Sequence, residues 1–273
     1  MTAVTRWRAL VRERLGELRA ARTAAGLAPE LWHADRAKRF ARRAGIAGRD
    51  DPLLARLLAE RAATYLDIGA GTGRHSVALA RARRDVLAVE PSPGMRALLP
   101  AIPRLRAVAE AWPWADAPTV DVAFAANVLF LIEDPKPFLS GMTRHSATAA
   151  FLQLAVVNSD AATDPLWRMF HGSRLAPSPT YLDAVDVLRE LGERPAVRIA
   201  VGPAASPWRT IAAAADDLAE TVAVPDEPRA RADLRAALAS WLVRTPDGFS
   251  SPLGPQAIAI IRWAGRGRKS RVR

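Results

Sequence analysis

The stretch Tyr65–Ser76, YLDIGAGTGRHS, decides how the rest of the chain is interpreted. It begins as an apolar strand, and three glycines at alternate positions, Gly69, Gly71 and Gly73, lead into the first turn of a helix. Glycine is needed where the backbone takes a positive φ, or where a ligand must approach the main chain without a Cβ in the way. A strand, a glycine loop and a helix N-terminus in this order predict a nucleotide-binding βαβ unit.

The spacing of the glycines narrows the class of nucleotide. A dinucleotide fingerprint, G-x-G-x-x-G, would place glycine at position 74, where the chain has Arg74. The chain instead has an acidic residue, Asp67, followed by G-x-G-x-G. This pattern resembles motif I of class I methyltransferases that depend on S-adenosyl-L-methionine (SAM). The resemblance implies SAM as the cofactor and an α/β fold: a Rossmann-like, doubly wound, seven-stranded and mostly parallel sheet whose antiparallel last strand lies beside the fifth.

Two further segments lie at suitable spacings after the glycine loop in the sequence. Glu90 closes the next predicted strand, near the spacing at which a Rossmann-like fold places an acid on ribose hydroxyls. A carboxylate suits that role because it accepts two hydrogen bonds from a vicinal diol. The segment 121–134 is similar to the family's fourth strand and the loop after it, which implies that Asn127 and Val128 border the cofactor.

The segment 109–114, AEAWPW, resembles the family's A-E-x-L-P-F segment beside the adenine. Many members have an aspartate just before it, where this chain has Val108, so the backbone of Ala109 and Glu110 is expected to make the adenine contact. The resemblance covers about residues 60 to 160. The cofactor-binding residues that it implies follow the first four strands of the sheet: Asp67, Gly69, Ala70, Gly71, Thr72, Gly73, Glu90, Pro91, Ala109, Glu110, Asn127 and Val128.

The composition excludes several other classes. Half of the 273 residues are apolar, yet no run approaches the ~20 apolar residues of a membrane span. The chain has no cysteine, so it can form no disulfide, thiolate zinc site or iron–sulfur cluster. No cluster of carboxylates or histidines has the spacing of a metal site. Acidic residues among the N-terminal arginines argue against a secretory signal, and a cytoplasmic protein is expected.

The net charge of +11 is concentrated at the two ends of the chain. Residues 1–50 contain twelve basic and five acidic residues, and residues 262–273 contain six basic residues and no acid. Such ends can bind RNA or an anionic surface. A compositional bias towards arginine explains them as well, so both interpretations stay open.

The chain is predicted to have three parts. Strands alternating with helices argue for the doubly wound sheet. A second N-terminal helix is predicted to follow the break at 26–29, and residues 158–179 are expected to be less regular. The parts are an N-terminal helical cap (1–62), a SAM-binding domain (63–263) with substrate-side insertions at about 158–192 and 207–243, and a basic flexible tail (264–273).

Methyl transfer from SAM needs mainly alignment and desolvation, and a general base only where the acceptor atom carries a proton. The catalytic residues are therefore unknown from the sequence, and His171 is the candidate base, although a structural role fits it equally. The same holds for the aromatic residues of the cap, which can either contact the substrate or pack the cap onto the sheet. The candidate substrate residues are Trp32, Phe40, His171, Arg174 and Tyr181.

Three functions stay open at this point. The first is transfer of a methyl group to an oxygen, nitrogen or carbon of a small or medium organic acceptor. The second is an RNA methyltransferase that uses the basic termini, and the third is a SAM-binding partner protein without catalysis. Residues 127–130 lack the prolines that shape the turn of enzymes acting on amide or exocyclic nitrogens. The acceptor and the oligomeric state stay open.

Overall fold

A computed structural model of the protein describes residues 1–28, 30–156, 160–202 and 205–267, with the side chains of 160–162 left out. The strands of the described residues are β1 Thr64–Ile68, β2 Asp85–Val89, β3 Leu105–Val108, β4 Val120–Ala126, β5 Ser146–Ala155, β6 Ala196–Val201, β7 Val243–Thr245, β8 Gly248–Ser250 and β9 Ala257–Ala264. The α-helices are α1 Ala3–Ala24, α2 Ala34–Ala44, α3 Pro52–Ala59, α4 Arg74–Arg81, α5 Pro93–Arg96, α6 Pro135–His145, α7 Asp160–His171, α8 Tyr181–Glu190, α9 Ile211–Thr221 and α10 Pro228–Trp241.

Seven of the strands form one sheet in the order β3-β2-β1-β4-β5-β9-β6. Strands β1 to β5 run parallel to one another, and β9 is antiparallel to both β5 and β6. This is the predicted Rossmann-like, mostly parallel sheet, and the final strand lies beside the fifth as expected. The order places the carboxyl ends of β1, β2, β4 and β5 at one edge, where open α/β sheets bind their ligands.

The two faces of the sheet are buried under different helices. On one face, α1, α6 and α8 cover a core that includes Trp7, Phe138 and Leu152. On the other, α3 and α4 cover a core that includes Leu57 and Phe151. Because both faces are covered, the central strand β5 is apolar almost throughout, as parallel strands buried on both sides are.

A third cluster of apolar side chains stands apart from the sheet. Helices α7, α9 and α10 pack around Trp167, Trp208 and Leu238, and the end of α1 adds Leu18 to this group. Helix α1 therefore touches both the sheet core and this helical cluster. Within the described residues, no helix has the length and hydropathy needed to span a bilayer.

Several details of the sequence prediction are corrected by the structure. Residues 158–179 contain the twelve-residue helix α7, with Pro165 inside it, where a less regular segment was expected. Leu166 and Phe170 stand on one face of that helix and pack into the helical cluster, so tertiary burial outweighs the local proline signal. Helix α2 begins at Ala34 and leaves residues 31–33 as a turn.

The basic tail is also less free than predicted. Strand β9 continues to Ala264. Beyond it, the amides of Gly265, Arg266 and Gly267 donate hydrogen bonds to the carbonyls of Thr148, Thr143 and Ser146. Four of the ten tail residues are thus fixed to the sheet or to α6. The remaining part of the predicted tail, 268–273, lies outside the described residues.

Candidate active site

The glycine loop between β1 and α4 has the backbone that its sequence predicts. Gly69, Gly71 and Gly73 have φ angles of 70°, 57° and 85°. A Cβ on Gly69 would lie 2.5 Å from Cγ2 of Val128, and one on Gly73 would lie 2.5 Å from Cδ2 of Leu99. A Cβ on Gly71 would meet no atom within 4 Å. The loop is therefore packed at both ends and open in the middle, which leaves room for a ligand against the backbone.

Glu90 follows β2 and is held against this loop by backbone amides. Its Oε2 accepts a hydrogen bond from the N–H of Gly71 and its Oε1 accepts one from the N–H of Ser92, both at 2.8 Å. The residue is 7% exposed. Each carboxylate oxygen keeps a second lone pair. A carboxylate fixed in this way can accept both hydroxyls of a ribose, so Glu90 and the open loop at Gly71 fit the cofactor that the motif implies.

Asp67 lies inside β1, beneath the loop. Its Oδ2 accepts a hydrogen bond of 2.6 Å from the hydroxyl of Ser76 on α4, and the residue is 3% exposed. Burial raises the pKa of Asp67 to about 6. The carboxylate joins the strand to the helix on either side of the loop, and above pH 6 it also offers a negative charge to a cationic group of a ligand.

The end of β4 forms the next wall of the site. Asn127 has a φ of 58°, and its N–H donates a 2.9 Å hydrogen bond to the carbonyl of Gln153 on β5. This left-handed turn brings the side chain of Val128 against Gly69, where it would clash with a Cβ on the glycine. Val128 thus lies next to the glycine loop and Asn127 precedes it in the chain, and that the two border the cofactor stays a prediction.

The remaining predicted cofactor residues lie at the same edge. Ala70 and Thr72 are in the loop itself, and Pro91 is an exposed neighbour of Glu90. Ala109 and Glu110 follow β3 and are exposed. The N–H of Glu90 donates to the carbonyl of Val108 at 3.1 Å, which brings the ends of β2 and β3 together.

The turn before α2 covers the helix that follows Glu90. A Cβ on Gly94 of α5 would collide with the carbonyl oxygen of Trp32, and the hydroxyl of Ser92 donates to that oxygen at 3.3 Å. The rings of Trp32 and Phe40 meet edge to face, with centroids 5.1 Å apart. The two aromatic residues predicted for the substrate wall therefore contact each other, next to the cofactor side of the sheet.

Helix α2 is attached to α9 mainly through charged groups. Of its residues only Ala37 is buried. Arg39 and His33 both contact the carboxylate of Glu220, the latter at 2.8 Å. Arg43 pairs with Asp217 at 2.9 Å. The cap over the site is thus connected to the helical cluster by ion pairs, with little apolar burial along α2.

His171, Arg174 and Tyr181 each contact different partners in the structure. Nε2 of His171 lies 2.8 Å from the carbonyl oxygen of Val222, and its ring packs on Trp167 with centroids 4.0 Å apart. Since a carbonyl can only accept, Nε2 must carry the proton and cannot act as a base in this arrangement. Arg174 is exposed and pairs with Asp164 at 3.6 Å, and Tyr181 packs at the start of α8 on the α1 face.

Asp51 is a structural carboxylate whose place at a helix start the sequence indicates and whose contacts with α4 it does not. It caps α3 by accepting from the N–H of Leu54 at 3.0 Å, and it also contacts Arg74 at 3.0 Å and His75 at 3.3 Å. Burial acts to raise its pKa, but His75, the Leu54 amide and Arg74 together hold the pKa of Asp51 well below its usual range. The carboxylate therefore anchors the first turn of α4, which fixes the glycine loop. The sequence signal was the Asp51-Pro52 pair, a typical helix start.

The described residues contain no group of three or more histidine or acidic side chains placed to hold a metal ion. Residues 66–150 match the family described as "Methyltransferase domain". No curated protein sequence matches the chain.

Two solved structures illustrate the fold. Magnesium protoporphyrin IX methyltransferase (ChlM) from Synechocystis PCC 6803, with bound S-adenosylhomocysteine, is 13% identical with a TM-score of 0.53, covering 86% of this chain and 96% of that one. The YcgJ protein from Bacillus subtilis is 11% identical with a TM-score of 0.52, covering 78% and 96%. The family match identifies residues 66–150 as a methyltransferase domain, and the motif and the sheet agree with the fold of class I SAM-dependent methyltransferases.

Proposed function

We propose that the protein transfers a methyl group from SAM to a small or medium organic acceptor. The observation that carries this proposal is the covered site. The Trp32 turn closes over α5, and α2 is clamped to the helical cluster by Glu220 and Asp217. A cap placed in this way suits a compact acceptor, because exclusion of water favours attack on the methyl carbon. When bound, SAM supplies that carbon, which its sulfonium already activates.

The residues of the chain take the following roles in this proposal. Glu90 accepts the ribose hydroxyls, and the open backbone at Gly71 lets the cofactor approach closely. Asp67 provides a negative charge beneath the loop for the ammonium group of the methionine moiety. Val128 limits the site on the β4 side, and the cap excludes water. None of these groups needs to form a covalent bond with the acceptor.

The pairing of the N-terminal arginines argues against the RNA alternative. A surface that binds nucleic acid keeps its cations available for phosphates. In α1, three of the arginines instead contact carboxylates of the body. The pairs are Arg6 with Asp183 and Asp186, Arg8 with Asp134, and Arg12 with Glu133. These contacts favour a role in attaching α1 to the fold.

The experiment that tests the proposal uses methyl-tritiated SAM, the purified protein and a deproteinised cell extract divided into small-molecule and RNA pools. Label in the small-molecule pool is the expected result. Label in RNA, lost at raised salt and on deletion of residues 264–273, would support the RNA alternative. SAM binding without label in either pool would support the third function, a non-catalytic partner protein.

A further inference from the structure

Gln153 is a buried polar residue without an assigned role in the site. It is the only polar side chain in the run 149–155, and it is 6% exposed. Its side-chain oxygen Oε1 has no hydrogen-bond partner within the part of the chain that the structure describes. The large majority of buried polar side-chain atoms in native proteins have a partner, so an unpartnered one calls for an explanation.

The strand register places Gln153 at the edge of the sheet that carries the cofactor residues. It is the partner of Ala126, the last residue of β4, and its carbonyl accepts the N–H of Asn127. The next residue, Val128, packs on Gly69 of the glycine loop. Gln153 is therefore one strand away from the wall that borders the loop.

The register also determines the face to which its side chain points. Phe124 is in register with Asp67 on one side and with Phe151 on the other, so these three share a face. Side chains alternate along a strand, so Gln153 lies on the same face as Phe151, one step nearer the carboxyl edge. The ring of His75 packs edge-on against Phe124 on this face, with centroids 6.2 Å apart. The amide thus lies above a layer of aromatic rings, on the side of the sheet where Asp67 lies.

An apolar side chain of the same length would fill this position without the desolvation cost of an unpaired amide. We propose that Gln153 is a specificity-determining residue of the acceptor site, and that its Oε1 accepts a hydrogen bond from a hydroxyl or amino group of the acceptor. This inference rests on the proposed function. It restricts the substrate class to polar acceptors, because a site that hydrogen-bonds a substrate group discriminates strongly against analogues that lack it.

The test compares Gln153→Met with the wild type, and uses Gln256→Met as the matched control. The side-chain amide of Gln256 donates to the carbonyls of Leu253 and Gly254, both at 3.0 Å, so its loss removes partnered hydrogen bonds. The three measurements are the Tm, the Kd for SAM by calorimetry, and label transfer from methyl-tritiated SAM to the small-molecule fraction of a cell extract.

Gln153→Met is expected to raise the Tm by about 2 °C, to leave the Kd for SAM within about twofold, and to lower label transfer by about tenfold or more. The control is expected to keep the wild-type rate of label transfer without any rise in the Tm. A structural role for Gln153 would not combine a higher Tm with lost transfer. If the methionine variant does not fold, Gln153→Leu provides the same comparison.

Three outcomes would overturn the inference. A Tm of Gln153→Met below that of the wild type would mean that the amide has a structural partner. Unchanged label transfer would mean that it does not contact the acceptor, and a large loss of SAM affinity would place it in the cofactor site instead. A wild-type protein that binds SAM but transfers no label would contradict the proposed function, and the Tm comparison would then decide whether the amide is unpartnered.

Discussion

The sheet core and helix α2 of the cap are stabilised by different kinds of interaction. Beneath the glycine loop, Tyr65, Phe124 and Phe151 are fully or almost fully buried among the side chains of α3 and α4. In the cap, α2 buries only Ala37, and its arginines pair with carboxylates of α9. Apolar burial is not screened by salt, whereas ion pairs are, although the Arg39–Glu220 and Arg43–Asp217 pairs are largely buried and are screened less than exposed pairs. The contrast indicates a tightly packed apolar floor beneath the loop and a cap helix that is held mainly by charged groups.

Truncation of one aromatic residue in each region gives the largest difference. Phe151→Ala removes a ring that is 1% exposed, and we expect a loss of about 3–5 kcal/mol in the free energy of unfolding. Phe40→Ala removes a ring of the cap that is 40% exposed, and we expect a loss below about 1 kcal/mol. Urea unfolding of the two variants measures both values. Equal losses would mean that the cap is part of the cooperative core.

Removal of the Glu90 carboxylate, which lies against the glycine loop, is expected to have the next largest effect. Glu90→Ala takes away the proposed ribose acceptors and the partner of the Gly71 amide, and we expect a loss of SAM affinity of roughly a hundredfold by calorimetry. Asp85→Ala, at the opposite end of the same strand, is the matched control, because Asp85 is exposed and pairs with Arg104 on the surface. A variant Glu90→Ala that binds SAM like the wild type would contradict the assignment of the site.

The sequence was sufficient to predict the core and the cofactor edge because their signals are local. The strand-glycine-helix pattern and the acid at position 90 each follow from one segment, and the structure brings them together. The cap contacts could not be predicted in this way. The pairing of Arg43 with Asp217 joins residues 174 apart in the chain, and many carboxylates were equivalent candidates. The contact of His171 with the carbonyl of Val222 could not be predicted for the same reason, since the two residues are distant in sequence, and its role as a base stays a prediction.

Weakening of the ion pairs is expected to open the cap without unfolding the core. Glu220→Gln removes the charge that faces Arg39 and His33, so we expect amides of α2 to exchange hydrogen about tenfold faster while those of β5 are unchanged. Hydrogen-exchange mass spectrometry measures both segments. Glu133→Gln, which loses the exposed pair with Arg12 on α1, is the control and should leave α2 at the wild-type rate. Faster exchange in β5 as well would show that the cap is not an independent unit.

The buried carboxylate under the loop predicts a smaller effect that depends on pH. With a pKa of about 6, Asp67 is mostly ionised at pH 7.5 and mostly protonated at pH 5. If it faces the ammonium group of SAM, the affinity should fall severalfold between these pH values. Asp67→Asn should bind SAM at pH 7.5 about as weakly as the wild type does at pH 5, with a flatter pH profile. The stability of the free protein is expected to change in the opposite direction. Because burial raises the pKa of Asp67, its ionisation lowers the free energy of unfolding as the pH rises from about 4 to 6.

Replacement of Arg36 is expected to have the smallest effect on stability, and it tests how the cap is stabilised. Burial lowers the pKa of its guanidinium to about 10, its Nη1 has no hydrogen-bond partner among the described residues, and the group lies 5.0 Å above the ring of Trp32. A partly buried cation without a full set of partners costs stability, and its replacement by an apolar side chain of similar length is often stabilising. We therefore expect Arg36→Met to raise the Tm by about 1–2 °C, measured by calorimetry at low salt. A lower Tm would mean that the contact with Trp32 outweighs the cost of burial, and that the cap, like the core, is optimised for stability.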